Sequence, residues 1–179
     1  MTHLQSYASL PALADDGSVY VVIETAKGSR NKYAFDEKLN VFLLKGVLPE
    51  GSSFPYDYGY IPSTKGGDGD PLDILVIMDV PAFTGCVITA RVVGAIEAEQ
   101  TERDGRRERN DRLIGVATHA HTHDHVRSLS DLRPQMVEEI EAFFQHYNRL
   151  AGKAFDPVRR SDAGTGMTLV EESMHAFTE

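Results

Sequence analysis

The chain holds a single cysteine, Cys86, in 179 residues. That excludes an internal disulfide and fits a reducing compartment. The thiol opens the apolar run Cys86-Val87-Ile88, so packing and not reactivity is its expected role. Positive charge is scarce as well: 18 Lys and Arg stand against 27 Asp and Glu, a formal net charge of −9. Such a balance leaves no basic footprint for nucleic acid and no attraction to an anionic membrane surface, so any anionic ligand must be drawn by a local cluster or a metal. No stretch approaches the roughly 18 apolar residues of a membrane span. Residues 1–17 show neither the basic start nor the apolar run of a signal peptide. The expectation is a cytoplasmic protein without internal repeats or low-complexity segments.

What is present suffices for one core. With 41% hydrophobic content in 179 residues, a single domain spanning 1–179 is expected, with 1–17 as a loosely ordered extension. Between Val19 and Thr118 the apolar segments are short and rich in β-branched or aromatic residues: Val19 to Ile23, Tyr33 to Phe35, Val41 to Leu44, Ile74 to Met78, Val87 to Ile96 and Leu113 to Val116. Strands parted by turns suggest a sandwich or small closed barrel. The charged run Glu102 to Arg109, with Gly105 inside it, reads as a hairpin tip. Beyond His125 the pattern changes: Leu132, Met136, Val137, Ile140, Phe143, Phe144, Tyr147 and Leu150 recur at helical spacing. Asp131 and Pro134 mark the start of this helix and Gly152 its end. A shorter C-terminal helix is expected, with Thr168 and Glu171 at capping-box spacing.

The densest chemistry lies in Asp68-Gly69-Asp70-Pro71-Leu72-Asp73, three carboxylates in front of the apolar run Ile74 to Met78. Gly69 permits a sharp turn and Pro71 stiffens it, so the acids stay close together at the mouth of a strand. Three such charges repel unless a cation sits among them, and Mg²⁺ accepts a few carboxylate oxygens while leaving positions for water or phosphate. A plain Asp-Gly turn is the rival reading. A calcium loop of the EF-hand type also begins Asp-x-Asp, but it requires Gly where Asp73 stands and Glu where Asp79 stands.

Taken in order, Val-Val-Ile-Glu24, Lys32-Tyr33, Phe-Pro-Tyr56-Asp-Tyr58-Gly-Tyr60-Ile-Pro, Asp68-Gly-Asp70-Pro-Leu-Asp73 and Phe143-Phe-Gln-His146-Tyr147 resemble the soluble inorganic pyrophosphatases. The likeness runs from about Val19 to the end of the main helix. It implies a five-stranded OB-like closed barrel with flanking helices, mainly β (α+β), that hydrolyses pyrophosphate with several Mg²⁺ ions. By resemblance, Asp68 and Asp73 are metal ligands, Asp70 both binds metal and takes the proton of the attacking water, and Glu24 supports the cluster. Tyr58 stands near the metals and the nucleophile, while Lys32, Lys45, Arg112 and Tyr147 receive phosphoryl groups. Packing or solvation alone could account for Lys32, Arg112, Tyr147 and Tyr58.

Departures accompany the likeness. Ala34 stands where the family usually has an acid, Phe54 replaces a tyrosine, Asn148 replaces a lysine, and Lys45 replaces an arginine with a displacement of about one residue. Lysine offers a point charge without the bidentate fork of arginine. In the hairpin, either Asn110 or Asp111 faces the metals, and likewise either Glu99 or Gln100; the acids Asp111 and Glu99 are the expected ligands. His119, His121, His123 and His125 alternate, which on a strand would suggest zinc or nickel, although Asp124 and the approaching helix favour a loop. His146 matches a helix position near subunit contacts in bacterial relatives, so a homo-oligomer is expected. A phosphohydrolase for another small phosphoanhydride and a non-catalytic phosphate or metal binder are the alternatives.

Overall fold

Stiff β-branched side chains and aromatic rings favour the pleated backbone, and strands form where they gather. The computed structural model describes residues 6–178. In chain order its elements are β1 (Val19–Thr25), β2 (Asn31–Asp36), β3 (Val41–Val47), β4 (Asp57–Tyr60), β5 (Asp73–Ile77), β6 (Val87–Thr101), β7 (Arg107–Arg109), β8 (Arg112–Ala117), α1 (Pro134–Leu150), β9 (Ala154–Asp162) and α2 (Ala163–Thr178). Five strands close a ring: β1 pairs with β4, β4 with β5, β5 with β8, β8 with β6, and β6 returns to β1. This is the OB-like closure expected from the sequence. The one parallel pairing in the ring, β5 with β8, sets Asp73 opposite Arg112.

Strand β6 carries the architecture beyond the ring. Its register shifts between Val92 and Gly94 against β8, and between Glu97 and Ala98 against β9. Such bulges bend a long strand, so its far half leaves the ring to pair with β7 and β9. The β6–β7 turn is the expected hairpin. Strands β2 and β3 form a separate two-stranded sheet.

Three strands escaped the sequence reading. β4 is Asp-Tyr-Gly-Tyr, without β-branched residues, and a Cβ on Gly59 would fall on the Val22 carbonyl oxygen, so β1 and β4 depend on glycine to approach. β7 is only Arg-Glu-Arg. β9 is charged and contains Pro157, which is tolerated beside the Glu97/Ala98 irregularity.

Ring residues such as Val21, Ile23, Ile74, Leu75 and Ile114 are fully buried. α1 adds Met136, Val137, Ile140 and Phe144 to the same core, and α2 adds Leu169 and Val170. Pro134 opens α1, and the chain leaves it at Gly152 with φ +75°. α2 starts earlier than its capping-box spacing suggests. The Thr165 backbone N–H donates to Asp162 Oδ1 at 2.8 Å, so Asp162 caps the helix, while the Thr168 hydroxyl bonds back to the Gly164 carbonyl.

Residues 6–17, expected as a loose extension, lie against the body; residues 1–5 fall outside the described residues. Tyr7 meets the rings of Phe35 and Phe42 at 5.2 and 5.3 Å, Ala12 is buried, and Leu13 bridges to Val19. Cys86 is half-buried against the core, as expected. The four histidines fall in the loop after β8, not on a strand, and among the described residues no group of three or more His, Cys, Asp or Glu is gathered to hold a metal. Among these residues no helix is long and apolar enough to cross a membrane.

Candidate active site

The acidic loop holds its shape through its own backbone. Gly66 N–H donates to the Asp70 carbonyl at 2.7 Å, Gly69 N–H to Gly66 at 3.1 Å, and Asp70 N–H to Asp68 Oδ1 at 3.1 Å. Gly69 sits at φ +90°, a conformation that side chains rarely adopt. Below it, the Thr64 hydroxyl donates to the Ile61 carbonyl at 2.6 Å and accepts the Leu72 N–H at 3.0 Å, tying the loop to the ends of β4 and β5. The outcome is a rigid turn with Asp68 and Asp70 at its tip and Asp73 at the first position of β5.

This turn forms one wall of a cavity of about 690 Å³ that opens to solvent. Glu24, Asp68, Asp70 and Asp73 line it, as do Tyr58, Lys32, Lys45, Arg112 and Tyr147. Of the eleven site residues expected from the sequence, these nine line the cavity and two, Asp111 and Glu99, do not. Asp111 turns away: its Oδ1 accepts the Ala98 N–H at 3.0 Å and its Oδ2 pairs with Arg109 Nε at 2.7 Å. Glu99 pairs with Arg107 on the outer side of the hairpin. Side chains alternate along a strand, and here the neighbours Asn110 and Gln100 take the cavity side. Asp111 and Glu99, expected at the metals, therefore do not line this cavity: the register that brings Arg112 inward carries Asn110 with it.

The remaining cations reach the cavity by different routes. Lys32 lies opposite Gly46 and Tyr33 opposite Leu44, which leaves Lys45 as the extra residue of a bulge. A bulge re-aims its side chain, so Lys32 and Lys45 both line the cavity although the family's arginine stands one place away. Lys32 Nζ sits 5.1 Å from the centre of the Tyr147 ring. Tyr147 also stacks on Phe143 at 6.0 Å, so it serves the core and the cavity together. Arg112 is buried with its guanidinium over the rings of Phe144 and Phe155, at 5.0 and 5.4 Å, and pairs with Asp73 Oδ2 at 2.5 Å. Burial is the largest influence and opposes its charge, but the combined pull of Asp73, Tyr58, Asp68 and Asp111 outweighs it and holds the guanidinium above its ordinary value.

The acids show the opposite balance. Burial pushes Glu24 up to about 7, against the hydrogen bond that its Oε1 accepts from Phe35 N–H at 2.7 Å, with Asp73 adding to the rise. Burial likewise pushes Asp68 up to about 6. Carboxylates so short of counter-charge are a fitting donor set for a hard divalent cation, which needs only one or two of them beside water and phosphate. The hydroxyl of Tyr58, buried and close to Asp73, is held well above its ordinary value.

Several cavity residues were not singled out in the sequence, among them Tyr60, Lys153, Glu102 and Glu108. Tyr60 has a buried hydroxyl with no hydrogen-bond partner among the described residues. Lys153 and Glu102 form an ion pair of 2.8 Å at the rim, and Glu108 stands beside them. Tyr60 is part of the quoted Tyr-Gly-Tyr motif and could have been singled out; Lys153 follows a helix stop and carries no local signal.

A closed OB-like ring with an open cavity, acids on one wall and lysines, arginine and tyrosine on the others, defines a protein that handles small polyanions with the aid of cations. Comparison with known proteins narrows this class. The family model described as inorganic pyrophosphatase matches residues 21–178. The inorganic pyrophosphatase of Nostoc sp. is 39% identical over 168 residues, covering 94% of this chain and 96% of the relative. That of Geobacillus stearothermophilus is 38% identical over 162 residues, with coverage of 90% and 94%. The crystal structure of inorganic pyrophosphatase from Thermus thermophilus superposes with a TM-score of 0.89 at 33% identity, covering 98% of this chain and all of the other. The chain belongs to the inorganic pyrophosphatase family.

Proposed function

We propose that this protein hydrolyses inorganic pyrophosphate to two phosphates with Mg²⁺, at the cavity walled by the Asp68–Asp73 turn. The observation that carries the reading is a single cavity lined both by the acids Glu24, Asp68, Asp70 and Asp73 and by Lys32, Lys45, Arg112 and Tyr147, in a member of this family. Asp68, Asp73 and Glu24 are the residues that would hold the ions. When bound, Mg²⁺ supplies charge neutralisation and a water acidic enough to lose its proton near neutral pH. Asp70, exposed at the tip of the turn, is placed to accept that proton, a task an ordinary Asp performs only for an acidified water. Lys32, Lys45, Arg112 and Tyr147 bind and orient the phosphoryl oxygens. Tyr58 remains protonated at neutral pH and so acts as a hydrogen-bond donor and not as a base.

A cytoplasmic setting and a homo-oligomer belong to the same reading. The first is supported by the lone Cys86, the second by the exposed Leu39 in the β2–β3 turn and Val41, Leu44 and Val47 on β3. A second reading, turnover of another small phosphoanhydride, is favoured by the neutral Gln100 and Asn110 on the cavity wall. Phosphate release from pyrophosphate, with Mg²⁺ and with chelator, tests the proposal. Asp70→Asn should abolish most of the Mg²⁺-dependent release without altering the circular dichroism spectrum. Binding of pyrophosphate without cleavage, or turnover of other anhydrides alone, would overturn it.

A further inference from the structure

One wall of the cavity is a continuous chain of hydrogen bonds. Arg112 Nη1 donates to Asn110 Oδ1, Asn110 Nδ2 donates to Gln100 Oε1 at 3.2 Å, and Gln100 Nε2 donates to Glu102 Oε1 at 2.6 Å. Lys153 closes the far end by donating to the same Glu102 carboxylate at 2.9 Å. The sense of this chain is fixed by its ends. Arginine can only donate, so Asn110 must present its oxygen to it; an ionised glutamate can only accept, so Gln100 must present its nitrogen. The two amides are thereby locked in one orientation, which aligned dipoles reinforce.

An amide suits each of these positions better than an acid. A carboxylate at position 100 would face Glu102 at hydrogen-bond distance and repel it. A carboxylate at 110 has no proton to donate to Gln100. The negative charge on this wall is already matched: Asp73 by Arg112, Glu102 by Lys153. The Arg112 guanidinium meanwhile keeps a buried Nε without a hydrogen-bond partner among the described residues and lies in the cavity lining.

We propose that Gln100 and Asn110 are positioning residues that hold the Arg112 guanidinium beside Asp73 as a built-in cation for one phosphoryl group, so that this wall binds phosphate through nitrogen donors and takes no divalent ion. The ions stay with Glu24, Asp68, Asp70 and Asp73, the last shared between them and Arg112. This rests on the pyrophosphatase reading and deepens it.

The test compares wild type with Asn110→Leu, Gln100→Met and the double variant. Because a hydrogen bond to a charged group is worth about a tenfold change in an equilibrium, Asn110→Leu should raise KM for pyrophosphate about tenfold with kcat within about threefold of wild type. Gln100→Met should act in the same direction and less. In the double variant KM should match that of Asn110→Leu alone, since one broken link already frees the arginine. Mn²⁺ binding without substrate, followed by calorimetry, should keep its stoichiometry and weaken less than about threefold in every variant. Loss of a Mn²⁺ ion from Asn110→Leu, additive KM effects, or an unchanged KM would overturn the proposal. If Asn110→Leu fails to fold, Gln100→Met carries the KM comparison, and Asn110→Asp tests the ion count, being expected to bind no additional ion because Arg112 claims its carboxylate. Should wild type not cleave pyrophosphate at all, the function proposed above fails, and calorimetric Kd values for pyrophosphate still decide the role of the two amides.

Discussion

Glu24 sets up a pH dependence of stability that can be measured in metal-free protein. Its carboxyl is pushed up to about 7 in the fold against an ordinary value of 4.5. Between these two values the folded chain keeps a proton that the unfolded chain has released. The folded state therefore binds more protons in that window, and stability falls as pH rises through it. The fold is unpenalised below pH about 4.5, and the loss is complete above about 7. At about 1.4 kcal/mol per pH unit, the full loss is on the order of 3 kcal/mol. For a chain of this length that corresponds to a drop in Tm of roughly 6–12 °C. Glu24→Gln preserves size and the oxygen that accepts the Phe35 N–H, and it removes the ionisation. Urea denaturation in chelator at pH 5, 6, 7 and 8 should show the decline in wild type and most of it absent in Glu24→Gln, with the variant the more stable protein at pH 8. Added Mg²⁺ at pH 8 should restore wild type and help the variant less. Equal slopes in the two proteins would refute the claim that burial of Glu24 without sufficient counter-charge is the cause.

Asp111→Ala should lower stability by about 1–3 kcal/mol in a denaturant titration, because it strands the buried Ala98 N–H, while KM and metal affinity stay close to wild type; a loss of metal binding would return Asp111 to the ligand set. Ile140→Ala, in the fully buried stripe of α1, should cost about 2–5 kcal/mol through the cavity it leaves, again by denaturant titration. Asp162→Ala should cost about 1 kcal/mol by removing the cap from the first turn of α2, and an unchanged midpoint would show that the backbone there needs no cap.

How much of this was legible depended on whether a signal was local. The Asp68–Asp73 turn was read because its geometry is made inside six residues, and the ring strands were read because β-branched runs announce themselves. β4 was not, since its strand character is imposed by Gly59 lying against β1 and by the neighbours on both sides. Asn110 against Asp111 and Gln100 against Glu99 were undecidable for a physical reason: strand residues alternate faces, and a one-residue ambiguity in a hairpin exchanges inside for outside. The bulge at Lys45 is the same problem with the opposite outcome, where an irregular register brought a displaced cation back to the cavity. Lys153 was invisible because its importance depends on Glu102, 51 residues away.

The distribution of charge explains how a chain of net charge −9 can receive a polyanion at all. Glu24 on β1 and Asp68 at the turn lack sufficient counter-charge within the protein, as their rise shows, so they suit a cation from solution. Where Asp73 meets Arg112 and Glu102 meets Lys153 the charge is balanced already, by arginine and lysine fixed through ion pairs and ring stacking. A small phosphoanhydride has two ends, and this cavity offers them two kinds of positive charge: one exchangeable and able to acidify water, the other permanent and able only to bind. Cleavage needs the first kind on the side where water attacks. On the proposed reading, this asymmetry puts the attacking side next to Asp70 and makes the Arg112 wall a holder of the phosphoryl group and not a second source of nucleophile.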